Sequence, residues 1–152
     1  KPYNINWRNV LVWNKGGHVG IGGDRETCWK RDFELIGVKD NRPLNGFRDS
    51  AVLNFNAVLP PPSGHFAEKP VGLMAYLIRK LTNPGDTIID PFMGSGSTIV
   101  AAIQEGRNAI GIERDADYFA IAQQRCLEAT YQPSLFAPQP TQWEPVAMFG
   151  DD

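Results

Sequence analysis

Thr87-Ile88-Ile89-Asp90-Pro91-Phe92-Met93-Gly94-Ser95-Gly96-Ser97-Thr98 runs from an apolar trio into an acid and then into a glycine-rich turn. The order predicts a strand, a loop and a helix start. Thr87, Ile88 and Ile89 are β-branched and favour a strand, whereas Pro91 cannot donate to a ladder. Gly94 and Gly96 open backbone conformations that other residues disfavour, and Thr98 begins an apolar helical run. At the carboxyl end of a buried parallel strand, such a turn is where open α/β sheets hold ligands.

Spacing narrows the ligand. The dinucleotide fingerprint G-x-G-x-x-G needs a third glycine where Ile99 stands, and no Gly-Lys-Ser/Thr follows to make a Walker loop. An acid at the strand end, a glycine pair and helix-start hydroxyls remain, and Asp90 suits a ligand ammonium better than a pyrophosphate. The next predicted strand, Asn108-Ala109-Ile110-Gly111-Ile112, ends in Glu113. A carboxylate there, about twenty residues past the loop, can accept both hydroxyls of a ribose. A ribose and an ammonium together point to S-adenosylmethionine.

Working outward, His65-Phe66-Ala67-Glu68-Lys69-Pro70 precedes the loop and Gly111-Ile112-Glu113 follows it. With the loop, these segments resemble the DNA methyltransferases that methylate exocyclic amino groups of adenine or cytosine. The His-x-x-x-Lys-Pro segment comes first here, which resembles the permuted (beta) group, in which the catalytic half precedes the cofactor half. The resemblance implies an α/β, Rossmann-like fold: a mostly parallel sheet with flanking helices. It also implies a methyl donor, S-adenosylmethionine, double-stranded DNA as partner and a place in DNA methylation or restriction-modification. By resemblance His65 and Lys69 lie near the cofactor's carboxylate, Asp90 faces its amino group and Glu113 its ribose. The backbone of Phe92, Met93, Gly94, Ser95 and Gly96 closes around it, with Ser97 and Thr98 at the helix start.

The family's chemistry rests on an acceptor-Pro-Pro-aromatic motif that holds the target amino group and stacks the flipped base. Here Pro60-Pro61-Pro62 is flanked by Leu59 and Ser63, so neither acceptor nor aromatic is present. No residue is nominated as catalytic. In the resembling fold the catalytic strand lies in mid-sheet, between the glycine-loop strand and the Val10-Leu11-Val12-Trp13 strand; without it, inner edges stay unpaired or pair anew. Three readings stay open: the cofactor half of an enzyme whose catalytic motif lies upstream, one half of a split enzyme completed by a partner or by self-association, or a non-catalytic binding or assembly module.

At 152 residues, 42% hydrophobic and 21% charged, the chain can bury a core. The expected organisation is one methyltransferase-like domain over 1–130, with post-catalytic strands and loops in 1–62, the cofactor half in 63–130, and a Pro-rich extended tail in 131–152. Net charge is −2, but nine basic face six acidic residues in the first fifty and six face eleven in the rest. This hints at a phosphate-facing side early in the chain. Residues 16–32, with five glycines, His18, Arg25, Lys30, Arg31 and Trp29, read either as a loop along a nucleic-acid strand or as ordinary surface. Two cysteines, Cys28 and Cys126, without metal-ligand spacing, suit a reducing cytoplasm, which the resemblance implies is bacterial or phage-like; no apolar run reaches membrane length and no signal-peptide pattern opens the chain.

Strands are expected over 9–13, 33–38 and within 51–59. A helix opening at Lys69-Pro70 carries the stripe Val71, Met74, Ala75, Ile78, Leu81. Ser97 or Thr98 is expected to cap the next helix, packing through Ile99, Ala102 and Ile103 until Gly106. A last helix over 115–129 buries one side through Tyr118, Ile121, Ala122 and Cys126, with Asp115 and Asp117 suiting its dipole. In the tail, Gln132-Pro133-Ser134-Leu135-Phe136 resembles the peptide with which bacterial proteins dock on the replication sliding clamp; packing of Leu135 and Phe136 on the body is the alternative.

Overall fold

The computed structural model describes residues 6–15, 33–38, 43–46, 49–65 and 67–131. The glycine-rich segment 16–32 with Cys28, and the tail with its clamp-like peptide, lie outside the described residues. The chain forms two compact units, Lys1–Thr82 and Asn83–Asp152.

In the first unit, β1 (Asn6–Asn14) pairs antiparallel with β2 (Phe33–Val38) and parallel with β3 (Val52–Asn54), giving the order β2-β1-β3. Helix α1 (Val71–Leu81) follows. Trp13, Leu53 and Leu73 form the core, with Leu11, Phe55, Met74, Tyr76 and Leu77 packed against it. The Trp13 indole satisfies its polar end inside this core, its Nε1–H donating to the Phe55 carbonyl at 2.7 Å.

The stripe on α1 needs correction. Leu73, Ala75 and Ile78 are its buried residues, while Val71, Met74 and Leu81 are half-buried. Leu73 was outside the expected face, yet it is 1% exposed because the core of Trp13 and Leu53 meets the helix at that angle. Pro70 is the N-cap, its carbonyl accepting from the Leu73 and Met74 amides. The other end is closed by a side chain distant in sequence. Asn45 donates from Nδ2 to the Arg79 and Thr82 carbonyls at 3.0 and 2.7 Å, and from its backbone to Lys80 at 2.9 Å. These are the carbonyls a helix leaves unpaired at its end.

The second unit is two consecutive strand–helix steps. β4 (Thr87–Asp90) leads through the glycine loop to α2 (Ser97–Gln104), and β5 (Asn108–Gly111) leads to α3 (Ala116–Tyr131). β4 and β5 pair in parallel, with Ile89 opposite Ile110 and Asp90 opposite Gly111. Small residues bring the layers close: Ala101, Ala102 and Ala122 are fully buried. Burial also pushes the Cys126 thiol up to about 11, so it behaves as a small apolar side chain.

The expectation of an α/β fold with mostly parallel pairing holds: among the described residues β1–β3 and β4–β5 are parallel and only β1–β2 is antiparallel, in two sheets. One expectation fails in the second unit: the glycine-loop strand is not buried on both faces. Ile89 is 64% exposed and its partner Ile110 47%, because α2 packs on the opposite face, where Gly111 meets Ile99. Among the described residues no helix is long and apolar enough to cross a membrane.

Candidate functional site

The loop after β4 is held at each of its turns. Past the last paired residues the ladder continues through the loop, since Ile112 donates to the Asp90 carbonyl at 2.9 Å and Met93 to the Ile112 carbonyl at 3.0 Å. The Asp90 carboxylate accepts the Phe92 amide at 3.0 Å, so the acid predicted to meet a ligand also shapes its own turn. Phe92 itself is 87% exposed.

Gly94 and Gly96 have φ of 53° and 81°, the left-handed region that glycine adopts without strain. Gly96 is needed for space as well: a Cβ there would sit 2.9 Å from the Ala122 Cβ and 3.1 Å from its Cα on α3. The backbone of α3 therefore passes directly beneath the loop.

Glu113 reaches from the end of β5 into the loop. One carboxylate oxygen accepts the Gly94 amide and the other the Asp115 amide, both at 2.9 Å. The Asp115 bond holds the carboxyl below its usual range, with the Gly94 and Arg114 amides helping and partial burial opposing. Glu113 is thus ionised and fixed. Two oxygens offer about four acceptor positions, and the three amides leave room for a hydroxyl.

The start of α2 departs from expectation. Its N-cap is Gly96, with no side-chain cap bond, and Ser97 is already inside the first turn. The left-handed Gly96 turns the chain so sharply that the Ser97 side chain is buried instead of reaching back to an amide; its Oγ has no hydrogen-bond partner. Thr98 is half-buried on the same turn. The first intrahelical bond runs from Val100 to Gly96 at 2.9 Å, so the amides before it point out of the helix end. At α3 the reverse holds: Asp115, expected only to complement the dipole, is a side-chain cap, its Oδ1 accepting the Asp117 and Tyr118 amides at 3.0 and 3.1 Å.

Sequence reasoning missed Arg125. From the middle of α3 its Nη1 donates to the Ser95 carbonyl at 2.7 Å and to the Ser95 hydroxyl at 2.9 Å. An arginine on a helix gave no signal, because its target lies thirty residues back.

His65 and Lys69 belong to the first unit, in the connector ahead of α1, and both are half-buried. The His65 amide donates to the Ser63 hydroxyl at 3.1 Å, its carbonyl accepts the Glu68 amide at 3.0 Å, and Ser63 also donates to the Glu68 carboxylate. Among the described residues no cluster of His, Cys, Asp and Glu could hold a metal ion.

A family model for DNA methylases, N6_N4_Mtase, matches residues 12–124. The chain is 39% identical over 131 residues to the Type II methyltransferase M.Cfr9I of Citrobacter freundii, an alignment covering 78% of this chain and 43% of that protein. It is 51% identical over 61 residues to the putative methylase YubD of Escherichia coli K12, covering 40% and 27%. Among solved structures, the M1.HpyAVI–SAM complex matches with a TM-score of 0.63 and 29% identity, over 80% of this chain and 62% of that one. The cytosine-N4-specific PvuII DNA methyltransferase matches in fold, with a TM-score of 0.66 at 19% identity. The chain spans less than half the length of these curated relatives.

Proposed function

The chain belongs to the DNA methylase family, and from that premise we propose that it is the cofactor-binding part of an S-adenosylmethionine-dependent DNA methyltransferase acting on an exocyclic amino group of adenine or cytosine. One observation carries the reading. Asp90 and Glu113 stand at the carboxyl ends of adjacent parallel strands, with the glycine loop stitched between them by the Glu113–Gly94 bond.

The residues present fit such a cofactor. Glu113 is ionised, fixed, and has acceptor capacity left toward a ribose hydroxyl. Asp90 is a half-buried carboxylate that can accept an ammonium. The Ser97 hydroxyl, buried without a partner, bears a cost that a nearby ligand acceptor would relieve. The amides at the start of α2 favour a carboxylate; for Lys69, by resemblance alone, the role is a point charge toward the cofactor's carboxylate. When bound, S-adenosylmethionine supplies a methyl group on a sulfonium that is already a good leaving group. The chain's own contribution is to bind and orient it, with proximity and alignment carrying the acceleration.

The order of His65, Lys69 and Pro70 before the loop supports the permuted arrangement. With no acceptor-Pro-Pro-aromatic motif in this sequence, the catalytic strand would come from a segment upstream or from a complementing partner. The pairing of β4 with β5 alone among the described residues leaves an edge of β4 that supports such an addition. Double-stranded DNA as substrate, a bacterial or phage-like cytoplasm and a clamp contact through Gln132 to Phe136 are finer parts of the same reading, and the bacterial relatives support the second.

Calorimetric titration of the purified chain with S-adenosylmethionine, and separately with its demethylated product, tests the proposal. Binding is expected, and Asp90→Ala and Glu113→Ala should each weaken it roughly tenfold or more, as the loss of a charged hydrogen bond does. Unchanged affinity in both variants would overturn the site; no binding by the folded chain would favour a non-catalytic assembly module.

A further inference from the structure

The loop is supported from below by Arg125, which lies on α3 outside the loop and outside the segments that carry the resemblance. Ser95 is 2% exposed, so its carbonyl and hydroxyl need partners from the protein. Arg125 meets both with one nitrogen, at 2.7 and 2.9 Å. One turn earlier on α3, Ala122 meets Gly96 at the limit of contact. Ala122 and Arg125 thus form a floor that fixes two successive loop residues, while Glu113 fixes Gly94 from the side.

The charge of this support is unexpected for a purely structural bond. Ser95 immediately precedes the N-cap of α2, and a helix dipole disfavours a cation at that end. A neutral donor would satisfy Ser95 without that opposition. A guanidinium instead raises the positive potential where α2 begins, which favours an anionic ligand group.

Resting on the reading of the loop as the cofactor site, we infer that Arg125 is a positioning residue for cofactor binding: by fixing Ser95 it holds the loop backbone in the ligand-ready shape. It touches no substrate and acts through Ser95. Preorganisation of this kind lowers the ordering cost of binding, so its removal weakens affinity without removing a ligand contact.

Arg125→Gln and Arg125→Lys in the full chain test it through two readouts. The first is affinity for S-adenosylhomocysteine by calorimetry, at a temperature where circular dichroism shows each variant fully folded. The Gln variant should bind about tenfold more weakly than wild type, and the Lys variant, keeping the charge and one donor, should recover most of the loss. The second is amide hydrogen exchange in the ligand-free chain, where Gly94 and Gly96 should exchange about tenfold faster in the Gln variant while α1 amides are unchanged. A lowered unfolding temperature with wild-type affinity and exchange would make Arg125 merely structural and overturn the inference. If wild type itself fails to bind, the cofactor reading fails, and unchanged Gly94 and Gly96 exchange would sink the positioning role separately. Should the Gln variant not fold, the Lys variant carries both readouts, with a loss of about threefold expected and no change overturning it.

Discussion

The two faces of the β4–β5 pair are built from alternate residues of the same eight, yet one is finished and the other is not. On one face, Gly111 packs against Ile99, and behind it α2 and α3 bury Ala101, Ala102 and Ala122 completely. On the other, Ile89 and Ile110 are 64% and 47% exposed, and Ile112, just past β5, is 39% exposed. Parallel sheets are normally covered on both faces, because each crossover lays a helix on one of them. The difference teaches that the apolar pattern of these strands suits a second covering layer that the described residues do not supply.

The comparison breaks most easily on the finished side. Gly96→Ala forces a Cβ onto Ala122 and a left-handed backbone onto an alanine; about 3 kcal/mol of stability should be lost, read from the denaturant midpoint. A loss below about 1 kcal/mol would mean that α3 gives way and that the contact is loose.

At the junction of the two faces, Glu113 gives a smaller, pH-dependent effect. Its folded pKa lies below the usual value of 4.5, so its stabilisation is present above that value and is lost as pH falls through the lower folded value. Partly exposed, it should contribute less than about 1 kcal/mol. Glu113→Gln should therefore flatten the acid side of the unfolding profile below pH 4.5, with little change in slope above it.

The smallest effect belongs to the open face. Ile89→Thr keeps the β-branch and removes apolar surface that is already wet, so it should cost under about 0.5 kcal/mol. A loss several times larger in this chain would show that the face is covered in solution. If the chain is joined to a completing segment, the same substitution should become markedly more costly, which would sharpen the contrast.

Local order was legible from residue types. β2 is found at 33–38 as expected, β4 and β5 lie where β-branched and apolar runs met turn residues, and Gly106, with φ of 69°, follows the end of α2. Less legible was anything decided by a neighbour distant in the chain. Leu73 is buried because of Trp13 and Leu53, Ser97 loses its capping role to a left-handed Gly96, and Arg125 is recruited by Ser95. The acid pair Asp90 and Glu113 could be placed at strand ends from spacing alone, but the Glu113–Gly94 bond could not, since a carboxylate at a strand end has many reachable amides.

Asn45 closes the last turn of α1 from more than thirty residues upstream. During synthesis the chain leaves the ribosome amino terminus first, so this side chain is already outside the exit tunnel when α1 emerges. The helix therefore meets a waiting lock and need not stay frayed until later residues arrive. A nascent chain halted once Thr82 has cleared the tunnel should already protect the end of α1, whereas α2 has only the β4–β5 pair to rest on until α3 is made.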